Sequence, residues 1–132
     1  MKSIIKKFIY IWENYKILWR AITVLFAVFI FILCVTGIEN FPKSLFFLDF
    51  IDVVYHFGGF CLFSFFLRGA FYNREKAFLH SLITGLIWGI ICETVQLFLP
   101  TRSFTLADLT ANLGGILIVQ LFLNKLLSFV RS

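Results

Sequence analysis

The chain has 132 residues, of which 61% are hydrophobic and 20% are aromatic, and its formal net charge is +5. A soluble domain of this size cannot cover so much apolar side chain with polar surface, so the composition excludes the soluble class and predicts an integral membrane protein. The length leaves room for about four spanning helices of roughly 20 residues each, and a globular head does not fit. The net charge does not indicate a nucleic-acid partner, because the basic residues flank the apolar runs.

Residues 1–18 form the first predicted unit, an amphipathic interfacial segment. Apolar residues such as Ile5, Phe8 and Trp12 recur at helical spacing, while Lys2 and Lys6 fall on the other side. This pattern predicts a helix in the headgroup region, with lysines beside the phosphates of membrane lipid. The alternative is a positive flank that only fixes the orientation of the chain.

Residues 19–132 form the second predicted unit, in which four apolar runs predict spans at about 19–36, 51–71, 77–99 and 106–129. The predicted fold class is therefore all-α, an integral membrane bundle of four transmembrane helices. All but two of the 12 lysines and arginines, Lys43 and Arg102, lie at the termini or beside the turn between spans two and three. By the positive-inside rule we expect both termini in the cytoplasm and the loops at 37–50 and 100–105 outside.

Polar residues interrupt spans two to four near their outward ends, and one more lies in the outer turn. In each of the three spans, two polar residues are three or four positions apart and therefore share one helical face. Because charging a side chain at the bilayer centre costs about 2.5–3.5 kcal/mol, such residues usually pair, line a wet cavity or have a function. We predict one convergent catalytic or ligand-binding site. Its residues are Asp52, His56, Glu93, Gln96, Arg102, Asp108 and Asn112.

Small residues lie on or beside the same helical faces and are predicted to bring the helices close together. These helix-packing positions are Gly59, Gly85, Gly89, Gly114 and Gly115. The cysteines Cys34, Cys61 and Cys92 have no paired spacing and are interpreted as small buried residues.

No organic cofactor is predicted, since the chain has no glycine-rich phosphate loop and no paired axial-ligand pattern. A divalent cation at Glu93 and Asp108 is left open as a metal site. Asp52, Glu93 and Asp108 in one low-dielectric pocket need compensating charge from Arg102, from protonated His56 or from a metal. The composition is equally compatible with a monomer and with a homo-oligomer.

Four segments occur in an order that resembles one protein family. They are Asp52-Val-Val-Tyr-His56-Phe, Glu93-Thr-Val-Gln96-Leu-Phe, Arg102-Ser-Phe-Thr-Leu-Ala-Asp108 and Asp108-Leu-Thr-Ala-Asn112-Leu-Gly-Gly115. Together they resemble the VanZ-like family of small bacterial membrane proteins over residues 52–115. The founding members of that family are associated with resistance to the glycopeptide antibiotic teicoplanin. The resemblance implies a cell-envelope role in the bacterial cytoplasmic membrane, and it does not supply a reaction.

Three functions are compatible with the predicted site. The first is a non-enzymatic envelope factor that binds a lipid head group, a lipid-linked cell-wall precursor or a glycopeptide, with Arg102 as the anion contact. The second is an intramembrane hydrolase or transferase, in which His56 is the general acid or base and Glu93 and Asp108 activate water or hold a cation. The third is a proton- or cation-coupled transporter, for which a chain of this length would have to oligomerise. The single histidine and single arginine of the outer half favour the first function.

Overall fold

The structure is a computed structural model that describes residues 2–36, 46–72, 75–100 and 104–131. These residues form five α-helices and no strand. The helices are α1 (Lys2–Asn14), α2 (Lys16–Thr36), α3 (Phe46–Phe71), α4 (Ala77–Gln96) and α5 (Leu106–Arg131). The all-α fold class predicted from the sequence is confirmed.

Four of the helices are long and apolar enough to cross a membrane. Their candidate spans are Lys16–Thr36, Phe50–Phe71, Ala77–Gln96 and Leu106–Val130, and the shortest has 20 residues. At about 1.5 Å per residue, 20 residues cover the roughly 30 Å hydrocarbon core of a bilayer. The four predicted transmembrane helices are therefore confirmed in number and order within the described part of the chain.

Several boundaries differ from the predicted ones. Helix α2 begins at Lys16 instead of residue 19 and α3 begins at Phe46 instead of residue 51, and local chemistry explains two further differences. The third span ends at Gln96 rather than Leu99, because the last backbone bonds join residues three apart, as in Leu99 N to Gln96 O at 3.1 Å. Pro100 follows, and the residue before a proline is disfavoured in the helical region. The amphipathic segment ends at Asn14, whose side-chain amide donates to Tyr10 O at 2.8 Å, instead of at residue 18.

Helix α3 lies at the centre of the bundle and packs against α2, α4 and α5, with the most extensive contact to α5. One glycine makes that contact possible. A β-carbon on Gly115 would lie 2.6 Å from Phe57 O and 3.2 Å from Cys61 N. The backbone of α5 therefore touches the backbone of α3 at this point, as small residues permit in membrane helices.

The other predicted packing glycines fall into two groups. A β-carbon on Gly85 would lie 3.0 Å from Ile116 Cγ2, and one on Gly89 would lie 3.4 Å from Phe60 Cε1, so both are at close interhelical contacts. A β-carbon on Gly59 would meet no described atom within 4 Å, and one on Gly114 would meet only an ordinary contact at 3.9 Å. The packing of the described residues does not require glycine at positions 59 and 114.

Candidate functional site

The described members of the predicted site lie at one end of the bundle, where α4 ends at Gln96 and α5 begins at Leu106. We call this the site end, and we call the opposite end, where α2 begins at Lys16, the termini end. Six predicted residues belong to the site end: Asp52, His56, Glu93, Gln96, Asp108 and Asn112. The seventh, Arg102, lies outside the described residues.

His56, Glu93 and Asn112 come from three different helices and form a buried hydrogen-bonded group. Their exposed fractions are 7%, 1% and 0%. The Asn112 side-chain amide donates from Nδ2 to Glu93 Oε1 at 2.9 Å, and Asn112 Oδ1 lies 2.9 Å from His56 Nδ1. Glu93 Oε1 is 3.3 Å from the same ring nitrogen. Such a group joins α3, α4 and α5, because each polar side chain finds its partner on another helix.

The orientation of Asn112 determines which nitrogen of His56 carries a proton. Since the amide nitrogen of Asn112 faces a carboxylate, its carbonyl oxygen faces the imidazole, and a carbonyl oxygen can only accept. His56 therefore donates from Nδ1. In the neutral imidazole, the other nitrogen, Nε2, then carries the lone pair and is available as a base or as a metal ligand.

The other ring nitrogen of His56, Nε2, faces the carboxylate of Asp52. It lies 3.9 Å from Asp52 Oδ1, one helical turn earlier on α3. Asp52, His56 and Asp108 each offer one ligand atom, and these atoms lie within 4.8 Å of one another. One imidazole and two carboxylates are a ligand set that divalent metals accept. We refer to Asp52, His56 and Asp108 as the cation triad.

The structure changes the pairing that the sequence predicted for a cation. A divalent cation at Glu93 and Asp108 was left open, but Glu93 Oε1 accepts the Asn112 amide and lies beside His56 Nδ1. Asp108 instead joins Asp52 and His56. Glu93 and Asn112 thus contact Nδ1, the ring nitrogen of His56 that does not face Asp52. Outer-shell partners of a metal-binding histidine usually contact the ring nitrogen that does not bind the metal.

Thr105, which the sequence analysis did not select, positions Asp108. Its carbonyl accepts the bond from Leu109 N at 3.2 Å and its hydroxyl accepts one from Asp108 N at 3.0 Å, so Thr105 is the N-cap of α5. The same hydroxyl donates to Asp108 Oδ2. A threonine three residues before an acid at the start of an apolar run was the available signal. The bond leaves Asp108 a second carboxylate oxygen for a ligand.

Gln96 lies at the site end but has a different partner. Its side-chain amide donates to Cys34 O, near the end of α2, at 3.3 Å, and the residue is 1% exposed. The bond attaches α4 to α2 beside the polar group. The structure thus shows Gln96 as a connection between helices.

The polar contacts between α3 and α5 continue toward the termini end at intervals of eight and then four residues. Gln120 donates from Nε2 to Ser64 O at 2.9 Å and to Ser64 Oγ at 3.0 Å, and Arg68 Nη2 donates to Asn124 Oδ1 at 3.3 Å. We call these pairs, with His56 and Asn112, the α3–α5 polar row. Its signal in the sequence was the repeated spacing of four or eight on each helix, which places residues on one face.

The four apolar spans and the buried polar group define the class of protein, a multi-pass all-α membrane protein with a cluster of ionisable residues at one end of its bundle. Comparisons with protein-family models, with curated proteins and with solved structures find no match for this chain. The VanZ-like resemblance of residues 52–115 stays a prediction.

Proposed function

We propose that this is a multi-pass protein of the bacterial cytoplasmic membrane that binds an anionic cell-envelope ligand at the outer leaflet, through a divalent cation held by Asp52, His56 and Asp108. Both termini lie in the cytoplasm, as the distribution of lysine and arginine predicts. The observation that carries the proposal is the convergence of the cation triad within 4.8 Å around an imidazole whose Nδ1 is already bonded.

The charge of the site explains why the proposal includes a cation. Asp52, Glu93 and Asp108 together would repel a phosphate or carboxylate group. A divalent cation is the largest local charge wherever it binds and reverses that repulsion. Three protein ligands leave coordination positions open, and these positions can take oxygen atoms of the ligand.

The ligand class follows from the location of the site. A polar group at the outer end of a membrane bundle is reached from the headgroup layer, where phosphate and diphosphate groups of lipids are found. The candidates are a lipid head group, a lipid-linked cell-wall precursor or a glycopeptide antibiotic, and the VanZ-like resemblance supports this range. Arg102, six residues before Asp108 in the outer turn, is the proposed second contact to the anion.

A second candidate function has an observation in its favour. His56 Nε2 carries the lone pair of the ring 3.9 Å from Asp52 Oδ1, so it can act as a general base when no cation is bound; with a cation on Nε2, the cation instead can activate water at an open position. The same residues would then make the protein a hydrolase or transferase for a lipid-linked substrate. Binding and turnover share the triad and differ only in whether product forms.

The test uses the full chain reconstituted in lipid, with wild type, Asp52→Asn and the matched control Glu75→Gln, an exposed acid near the termini end. Dialysed protein is titrated with Mn²⁺, Zn²⁺ and Mg²⁺, and binding of lipid-linked cell-wall precursors and glycopeptides is measured with and without EDTA. We expect one cation per chain in the wild type and in Glu75→Gln, and an affinity at least about 10–100-fold lower in Asp52→Asn, because loss of even an outer-shell partner of a metal ligand costs that much.

Each outcome bears on one part of the proposal. Ligand binding that EDTA does not weaken would overturn the role of the cation. Binding without product supports the binding factor, whereas product that disappears in Asp52→Asn establishes the enzyme.

A further inference from the structure

Helix α1 bridges the termini end of the bundle and is attached at both of its ends. Near its C-terminal end, Trp12 is 2% exposed, and its ring centroid lies 5.5 Å from that of Phe65 and 5.4 Å from that of Tyr72. Near its N-terminal end, Lys2 Nζ lies 4.8 Å from the centroid of the Phe129 ring on α5. The helix therefore runs from the end of α3 to the end of α5.

A cavity of about 390 Å³ lies among α1, α3 and α5, beside the direct packing of Trp12 against Leu123 and Leu127. Every described residue that lines it is apolar or a cysteine, including Phe8 and Ile9 on α1, Leu62 on α3, and Val119 and Phe122 on α5. Leu62 and Phe122 are more than half exposed, so the cavity opens on the lipid-facing side of the bundle. An extended hydrocarbon chain from the bilayer matches this lining, because no polar group has to lose water when the chain enters.

The outer face of the same helix carries positive charge. Lys2, Lys6 and Lys7 are exposed, and together with Tyr10 they line a shallow depression on α1. An amphipathic helix that is rich in lysine on one face and apolar on the other is suited to anionic lipid surfaces. Each lysine near such a surface contributes about 1 kcal/mol.

We propose that an anionic phospholipid occupies this place, with an acyl chain in the cavity under α1 and its phosphate beside the lysines. Both parts of such a lipid match the protein, since the apolar cavity favours the hydrocarbon chain and the lysines favour the negatively charged phosphate. The acyl chain fills the cavity beside these protein contacts and adds to the attachment of α1. The site is at the termini end and is independent of the cation triad.

The test measures quenching of Trp12 fluorescence by lipids with brominated acyl chains. The full chain is reconstituted into vesicles of phosphatidylcholine and phosphatidylglycerol, with only one of the two lipids brominated. A Trp12→Phe variant gives the contribution of the other tryptophans. We expect phosphatidylglycerol to bind about tenfold more tightly than phosphatidylcholine, equivalent to about 1.4 kcal/mol. Equal affinity for the two lipids would overturn the proposal.

Two further variants and one control separate the roles of charge and cavity. The triple variant Lys2→Gln, Lys6→Gln and Lys7→Gln should lose the preference, whereas Lys76→Gln, at the start of α4, should keep it. Val119→Phe, which places a ring in the cavity, should reduce the quenching of Trp12 by either lipid. A preference that survives the triple variant, or quenching that survives Val119→Phe, would refute the proposed lipid site.

Discussion

Replacing Asn112 by leucine tests how the buried group holds His56. Leucine keeps the approximate size of the side chain and removes the bonds to His56 Nδ1 and Glu93 Oε1, each 2.9 Å long. Leaving a buried polar group without its partner costs about 1–3 kcal/mol in soluble proteins. Hydrogen bonds between membrane helices average about 0.6 kcal/mol and reach about 1.7 kcal/mol.

His56 Nδ1 and Glu93 Oε1 are 3.3 Å apart and can bond each other when the amide is gone, so one of the two losses is partly recovered. We therefore expect Asn112→Leu to lower the free energy of unfolding by about 1–2 kcal/mol, within the range for lost buried hydrogen bonds. Affinity for a divalent cation should fall about tenfold, because the imidazole ring is no longer held in one orientation.

The assay is reversible unfolding in mixed micelles together with calorimetric titration of Mn²⁺. The control is Thr110→Leu, on the same helix, where the exposed hydroxyl bonds the nearby Ala107 O. If Asn112→Leu changes the unfolding free energy by less than about 0.5 kcal/mol, the size typical of surface substitutions, the assigned network is wrong.

Three further predictions concern the helix contacts. Gly115→Ala should destabilise the bundle by about 1–3 kcal/mol, because its β-carbon would lie 2.6 Å from a carbonyl oxygen. Gly59→Ala should have little effect, and unfolding in micelles compares the two variants. Thr105→Ala removes the N-cap of α5 and should lower the free energy of unfolding by about 1 kcal/mol in the same assay. Cation binding should weaken because Asp108 loses its bond to the hydroxyl, and an unchanged cation affinity would show that Thr105 does not orient Asp108. Gln120→Leu should cost about 0.6–1.7 kcal/mol without changing cation affinity, and a change in that affinity would contradict a separate site end.

The sequence was sufficient to predict the spans and six of the residues that gather at the site end, because hydropathy and helical spacing depend on positions along one helix. It could not predict which residue meets which across helices. Glu93 was expected beside Asp108 and instead bonds Asn112, since the rotation of α4 about its axis is set by packing against α3 and α5. The spacing of residues along one helix does not indicate how far that helix is rotated about its axis relative to its neighbours.

Hydrogen bonds between side chains and backbone groups of other helices could not be predicted from the sequence either. Gln96 bonds the carbonyl of Cys34, and every residue carries such a carbonyl, so no side-chain pattern could have indicated this pair. The end of α4 was also predicted three residues late, because the effect of Pro100 on the preceding turn was not included.

The α3–α5 polar row limits how this protein can move. Its pairs recur at intervals of about one helical turn or two, which is about 6 or 12 Å along the axis, so sliding α3 against α5 by less than a turn would separate all of them at once. The backbone contact at Gly115 prevents the same two helices from rolling over each other. We therefore expect helices α3 and α5 to move together, and we expect a motion that opens or closes the site end to involve α4 and α2. A distance measured between spin labels on α3 and α5 should stay constant when ligand binds, while distances to α4 change.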